Sequence, residues 1–261
     1  MPLIDAGGLE LHVQTLGPGP EAPRPPPPPV IFLHGLLVGS MATWYFSLAP
    51  ALAAQRKVVL YDLRGHGRSA TPARGYALHD HLVDLGAVLG ACEVKSGPVV
   101  LVGHSFGALV ALMATLRRPE RVAKLVLCEL PLPPASAGVI PDPAQIDVEG
   151  LFASLPPAVQ AAVAEGGRRG RRFVERVRTL VEETSLLADL FAMTDVDDTD
   201  LGGLMTPTLA LYGRDSLCLP TGERLARVMP AARLVTLPGG HFLPVESPDA
   251  VGEAVKEFLG G

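Results

Sequence analysis

The sequence predicts an α/β fold, a mainly parallel sheet with helices packed on both faces. Short runs that are apolar at nearly every position, Val30-Ile-Phe-Leu33, Val58-Val-Leu-Tyr61, Val99-Val-Leu-Val102, residues 122–127 and Thr208-Leu-Ala-Leu-Tyr-Gly213, recur along the chain with helix-spaced segments between them. A strand that is apolar on both faces must be covered on both, and parallel neighbours need a long crossover, which a helix supplies. The 261 residues, 48% of them hydrophobic, suffice for one sizeable core.

Taken in order, residues 9–16 alternate apolar and polar positions and read as a half-buried strand, turned by Gly7-Gly8 from residues 2–5 as an edge hairpin. Residues 17–29 follow, ending in Pro25 to Pro29, which allow neither a ladder nor a helix. This stretch reads as a solvated polyproline loop; a proline-rich docking site is the alternative weighed against it. After Leu33 come His34-Gly35-Leu36-Leu37 and a helix-like stretch over residues 44–54. The strand at residues 57–62 ends in Arg64-Gly-His-Gly-Arg-Ser69, whose glycines mark a tight loop. Leu78, Leu82, Leu85 and Leu89 then recur at helical spacing. Residues 233–237 are the last strand, and Ser247-Pro248 opens a final helix as N-cap serine and first-turn proline.

The alternation breaks between Pro131 and Leu204. Pro131, Pro133, Pro134, Pro141 and Pro143 read as a linker, followed by helical stretches over residues 148–164 and 169–193. The second carries an apolar stripe of Phe173, Val177, Leu180, Val181, Leu187 and Phe191. Residues 131–204 are therefore expected to form a helical lid inserted into a core built from residues 1–130 and 205–261.

Composition excludes several classes of function. A formal net charge of −5 argues against a nucleic-acid or anionic-membrane surface. Cys92, Cys128 and Cys218 are odd in number and widely spaced, which indicates neither a disulfide framework nor a zinc site, and no metal or cofactor is expected. No apolar run approaches a membrane span, and the first residues lack a basic region followed by an apolar one, so the expected location is the cytoplasm. Arginine outnumbers lysine and asparagine is absent, as GC-rich bacterial coding would give.

The chemistry is expected around Gly103-His-Ser-Phe-Gly107, a G-x-S-x-G turn between an apolar strand and an apolar helix. The glycines omit the side chains that would clash as the chain reverses, so Ser105 can sit on a strained turn with its hydroxyl exposed, near helix N–H groups that favour an oxyanion. A serine hydroxyl needs a base, and the base an orienting acid. His241 and Asp215 are the expected partners, because both follow strands at their carboxyl ends, where open parallel sheets collect their sites. Other acids read differently. Asp62 lies inside the glycine loop and is read as capping it, and Asp195, Asp197, Asp198 and Asp200 read as a solvated linker. His34, His66 and His104 are read as satisfying backbone or turn contacts. His79 and His81 lie two apart and so face different ways, and Cys218 reads as a small packing residue.

In order, His34-Gly35, Asp62-Leu-Arg-Gly-His-Gly-Arg-Ser69, Gly103-His-Ser-Phe-Gly107, Gly213-Arg-Asp215 and Gly240-His241 resemble the α/β-hydrolase superfamily over nearly the whole chain. The resemblance implies an eight-stranded sheet and an oxyanion hole formed by the N–H groups of Leu36 and Phe106. The serine, preceded by histidine, looks like the esterase, perhydrolase and thioesterase group. It is unlike the dehalogenase and epoxide-hydrolase branches, which place aspartate there. The pocket is expected to draw on Leu36, Leu37, Trp44, Phe106, Leu130, Phe242 and the lid stripe, and to take a small hydrophobic substrate.

The leading expectation is a serine hydrolase that cleaves an ester or thioester through an acyl-enzyme. The alternatives are an acyltransferase, cyclase or lyase acting on a biosynthetic intermediate with the same triad, and a non-catalytic ligand-binding relative. Arg168, Arg169, Arg171 and Arg172, at the start of the second lid helix, suggest a partner as well: a carrier-protein or CoA thioester docked by its anionic handle, weighed against a plain solvated face.

Overall fold

The computed structural model describes residues 2–94, 96–132, 148–153 and 155–260. An edge hairpin of β1 (Leu3–Asp5) and β2 (Glu10–Leu16) opens the chain. β3 (Val30–Leu33) leads into two short helices, α1 (Ala42–Tyr45) and α2 (Ala49–Ala53), where one helix was expected. Pro50 lies in the first turn of α2; lacking an N–H, it opens a helix more readily than it continues one. β4 (Val58–Tyr61), α3 (Leu78–Ala91), β5 (Val99–His104), α4 (Phe106–Arg117) and β6 (Val122–Cys128) follow in alternation.

Between β6 and β7 (Thr208–Gly213) lie α5 (Val148–Ala153), α6 (Pro157–Glu165), α7 (Gly167–Glu182), α8 (Leu186–Phe191) and α9 (Asp198–Gly202). Both helical stretches expected here are broken. Pro156-Pro157 separates α5 from α6. The Thr184 hydroxyl donates to the Leu180 carbonyl and accepts from Leu186 N–H, closing α7 and opening α8. The expected linker prolines Pro133, Pro134, Pro141 and Pro143 lie outside the described residues. α10 (Leu219–Val228), β8 (Ala232–Leu237), α11 (Leu243–Glu246) and α12 (Pro248–Gly260) complete the chain. α12 begins at Pro248 as expected, but the Ser247 hydroxyl donates to the Pro238 carbonyl at 2.6 Å instead of capping the helix.

The eight strands form one sheet in the order β1-β2-β4-β3-β5-β6-β7-β8, parallel from β4 to β8 and antiparallel only in the edge hairpin and its junction with β4. Its two faces are read off by alternation. Ile31, Leu33, Val59, Tyr61 and Leu101 pack with residues of α3, α4 and α10, while Phe32, Leu60, Val100 and Val102 pack with residues of α1, α2, α11 and α12. The helical insertion docks above the loop that follows β4. Leu180 and Leu186 pack on Tyr76, Asp189 accepts from Tyr76 N–H at 2.9 Å, and Ser185 N–H donates to the Ala73 carbonyl. Arg168, Arg169, Arg171 and Arg172 are exposed, whereas Gly170 between them is buried against the Val163 carbonyl of α6.

Candidate active site

Ser105 joins β5 to α4 at φ 52°, ψ −123°, a left-handed conformation that side chains rarely adopt. The surrounding packing enforces it. A Cβ on Gly103 would strike Ala108 and the Gly107 carbonyl, and one on Gly107 would strike the carbonyls of Leu33 and His34. Ser105 N–H donates to the Cys128 carbonyl at 2.8 Å, anchoring the turn to β6. Strain of this kind persists only where neighbouring structure over-determines it.

His241 lies between β8 and α11, with Nε2 at 2.9 Å from Ser105 Oγ, so the hydroxyl donates to the imidazole. His104 holds this loop. Its Nε2 donates to the His241 carbonyl at 2.8 Å, and burial, with a further contribution from His241, pushes its pKa down to about 3, so the ring stays neutral and keeps that proton. The Phe242 ring, half-buried, stands edge-on to the His241 ring.

The geometry does not bring the expected acid to the imidazole. Asp215 points into solvent, its N–H bound to the Gly239 carbonyl, and among the described residues no ion pair joins it to His241. The carboxylate facing Nδ1 is Glu129, fully buried at the end of β6, with Oε2 at 3.5 Å. Gly213 N–H donates to Oε1 and the Ser216 hydroxyl to Oε2, so both carboxylate oxygens are held. Cys218 N–H in turn donates to Ser216 Oγ at 3.0 Å. The physical reason lies in the turn after β7. Gly213 packs directly on the Gly239 carbonyl, where a Cβ has no room, and the chain leaves it with Arg214 and Asp215 exposed and Ser216 turned inward. Glu129 itself sits at φ 55°, a second strained residue beside Ser105.

Cys218 is more than packing. Its Sγ lies 3.4 Å from His241 Nδ1, on the side of the ring that faces Glu129, and burial together with the Glu129 charge pushes the thiol up to about 12. Glu129, Cys218 and His241 thus bring an oxygen, a sulfur and a nitrogen donor within 4.8 Å of one another. Glu129 had one signal in the sequence: it is the lone charge in Leu125-Val-Leu-Cys-Glu-Leu-Pro-Leu132, at the carboxyl end of a strand.

On the other side of Ser105, neither Leu36 N–H nor Phe106 N–H donates to a protein group among the described residues, which leaves both available to an oxyanion. Gly35 lets this loop approach, since a Cβ there would press on Ser105 and His104. Leu37, half-buried at φ 63°, donates its N–H to His66 Nε2 at 2.7 Å. His66 Nδ1 donates to the Arg64 carbonyl, and His34 donates from Nδ1 to the Gly35 carbonyl while Nε2 accepts from Leu63 N–H. Both rings are lowered in pKa chiefly by burial, His66 to about 3, so they act as neutral brackets for the loop.

Three expected pocket residues are core residues instead, and Phe106 is one, buried edge-on to His81. Trp44 is 1% exposed, packed on Phe32 with its indole N–H on the Leu33 carbonyl, because α1 folds back under the sheet. Leu130 is fully buried in the opposite core layer, its carbonyl accepting from the Tyr212 hydroxyl. Asp62 accepts from Arg68 N–H, Met41 N–H and His12, as a loop cap should. Asp197 caps α9, and Asp195 and Asp198 pair with Arg224, so these acids brace the base of the insertion. His79 is exposed and His81 buried, on different faces.

A strained serine on a strand-to-helix turn, an imidazole and a buried carboxylate at the carboxyl edge of a parallel sheet define a site laid out for nucleophilic chemistry on an α/β scaffold. Comparison with known proteins agrees: the chain belongs to the alpha/beta hydrolase family, whose model matches residues 30–254. It is similar to the candidate carbamate hydrolase RutD of Variovorax paradoxus (strain S110), 30% identical over 269 aligned positions that cover 96% of each chain. Among solved structures it is similar to Est816, described as an N-acyl homoserine lactone degrading enzyme, with a TM-score of 0.76 at 25% identity over 98% of this chain and 100% of that one. A hydrolase from Pseudomonas aeruginosa gives the same TM-score at 28% identity, over 99% and 97% of the two chains.

Proposed function

We propose that this protein is a serine hydrolase acting on a hydrophobic ester or thioester, with Ser105 as nucleophile, His241 as base and then acid, and Glu129 as the orienting acid. The observation that carries the reading is the 2.9 Å contact between Ser105 Oγ and His241 Nε2, made at a serine held in a left-handed conformation. In the first half-reaction Ser105 attacks the carbonyl carbon as His241 Nε2 takes the hydroxyl proton. The imidazolium is stabilised by Glu129, whose 3.5 Å approach to Nδ1 shortens as charge develops. The N–H groups of Leu36 and Phe106 receive the oxyanion, each worth roughly 3 kcal/mol of transition-state stabilisation. His241 returns the proton to the leaving group, then activates water to release the acyl group.

The half-buried Leu36, Leu37 and Phe242 favour an apolar acyl or leaving group, and the insertion, packed on Tyr76 through the buried Leu180 and Leu186, acts as a lid that limits water. Carbamate and lactone, named for RutD and Est816, share with esters the acyl carbon bearing a heteroatom leaving group, so both belong in the substrate panel. A fluorophosphonate probe tests the reading. Wild type should be labelled on Ser105, and Ser105→Ala, folded by circular dichroism, should lose both labelling and p-nitrophenyl ester hydrolysis. A folded Ser105→Ala that keeps more than about a tenth of the activity overturns the assignment.

A further inference from the structure

The donor set behind the imidazole brings three different metal-ligating atoms together. Cys218 Sγ and Glu129 Oε2 both approach His241 Nδ1, at 3.4 Å and 3.5 Å. In a tetrahedral zinc site, with Zn–S about 2.3 Å and Zn–N or Zn–O about 2.0–2.1 Å, neighbouring donors stand about 3.5 Å apart for S···N and about 3.4 Å for N···O. Two of the three spacings therefore match those of zinc ligands, and the third pair, Sγ and a Glu129 oxygen, lies within 4.8 Å.

The surroundings match as well. Metal-bound carboxylates are held by outer hydrogen bonds, and Glu129 has two, from Gly213 N–H and the Ser216 hydroxyl. A metal-bound imidazole is oriented through its other nitrogen, and His241 Nε2 is held by Ser105. Charge closes too: a divalent cation between one carboxylate and one thiolate leaves a neutral buried site, as a low-dielectric position demands. Sulfur, nitrogen and oxygen donors together select a borderline-soft ion over calcium or magnesium.

We infer that Glu129, Cys218 and His241 form an inhibitory site for zinc, bound through Oε2, Sγ and Nδ1. Binding releases the proton of the Cys218 thiol to solvent and shifts the single imidazole proton from Nδ1 to Nε2, which then donates to Ser105 Oγ; no bond to carbon changes and no electron is transferred. The bound ion occupies the nitrogen that must carry a proton toward Glu129, so His241 can no longer be stabilised as imidazolium. The inhibition rests on the hydrolase reading above, whereas the binding does not.

Cobalt(II) makes the binding visible without turnover, because a thiolate ligand gives an intense near-ultraviolet charge-transfer band. Chelator-treated wild type titrated with cobalt should develop that band, and zinc should bleach it. Cys218→Ser should abolish it, while Cys92→Ser and Cys128→Ser retain it. Glu129→Gln should keep the band but need at least about tenfold more cobalt to reach it. In parallel, zinc should block ester hydrolysis and fluorophosphonate labelling of Ser105, reversibly with chelator, and Cys218→Ser should need at least about tenfold more zinc for the same block. A band in a protein that neither hydrolyses nor labels leaves the metal site standing and removes the hydrolase reading. Absence of the band in wild type, its persistence in Cys218→Ser, or equal zinc sensitivity of wild type and Cys218→Ser overturns the site.

Discussion

Glu129 and Asp215 offer the same functional group at the ends of adjacent strands, and what separates them is where the backbone sends each side chain. At Glu129 a left-handed residue turns the carboxylate inward, under Gly213 N–H and the Ser216 hydroxyl; at Asp215 the chain faces solvent. Glu129→Gln should therefore lower kcat by about 10³ to 10⁴-fold, since an amide cannot stabilise the imidazolium. Asp215→Asn should stay within about twofold, as exposed substitutions usually do. Steady-state kinetics on p-nitrophenyl esters separates the two, and the reverse ranking would return the acid to Asp215. The contact of Ser105 with His241 was legible because local pattern marks both residues, a glycine-flanked turn for one and a strand end for the other. The carboxylate facing Nδ1 was not, because order along the chain cannot say which of two strand ends presents its side chain to a ring carried by a third. Cys218 was illegible for the same reason: metal-like proximity here joins residues from three separate loops, so no spacing motif records it.

At the level of elements, the site is a meeting of five strand ends, from β3, β5, β6, β7 and β8, and its cohesion depends on contacts that cross between them. The apolar strands and the glycine turns were readable because each is a local property. The breaks at Pro156-Pro157 and at Thr184 do not show in the pattern, because an apolar stripe looks continuous across a break that a proline pair or a back-bonding hydroxyl imposes. Trp44 eludes local pattern for a related reason: a large aromatic near a loop reads equally well as pocket wall or as core, and only the short α1 folding under the sheet decides it. His104 shows how the strand ends are joined. Its neutral Nε2–H ties the end of β5 to the backbone of the loop that carries His241. His104→Leu removes that donor and should lower kcat by about 10²-fold with little change in KM, the cost of a base displaced by a fraction of a bond length. His104→Gln, which can present an N–H at similar reach, should recover most of the loss. If leucine and glutamine behave alike, the contact is not what positions the base.

For the whole molecule, the polar network beneath the site makes stability depend on keeping several imidazoles uncharged. His34, His66 and His81 are buried, and burial is the leading cause that lowers each pKa, with the nearby Arg64 guanidinium lowering His81 further. His34 and His66 each use one nitrogen as acceptor for a backbone N–H, a role that a protonated ring cannot fill. In the unfolded chain these rings titrate near 6.5, so below that pH the unfolded state takes up protons that the native state refuses. Their contribution to unfolding free energy is thus intact above about pH 6.5 and is lost as pH falls toward the depressed native values, by up to about 1.4 kcal/mol per pH unit for each ring. His81 isolates one such ring. Among the described residues neither of its nitrogens has a hydrogen-bond partner, and it packs edge-on to Phe106. His81→Leu, close in volume, should leave unfolding free energy near pH 7 unchanged or raised, because it removes two unpaired buried polar atoms. Between about pH 6 and pH 4.5 it should flatten the fall in stability by up to about 1.4 kcal/mol per pH unit. Asp84, whose carboxyl burial pushes up against the pull of Arg64, titrates in both proteins, so the difference between their denaturant-unfolding curves reports the imidazole alone. Parallel pH dependence in wild type and His81→Leu would mean that His81 is not held neutral in the native state.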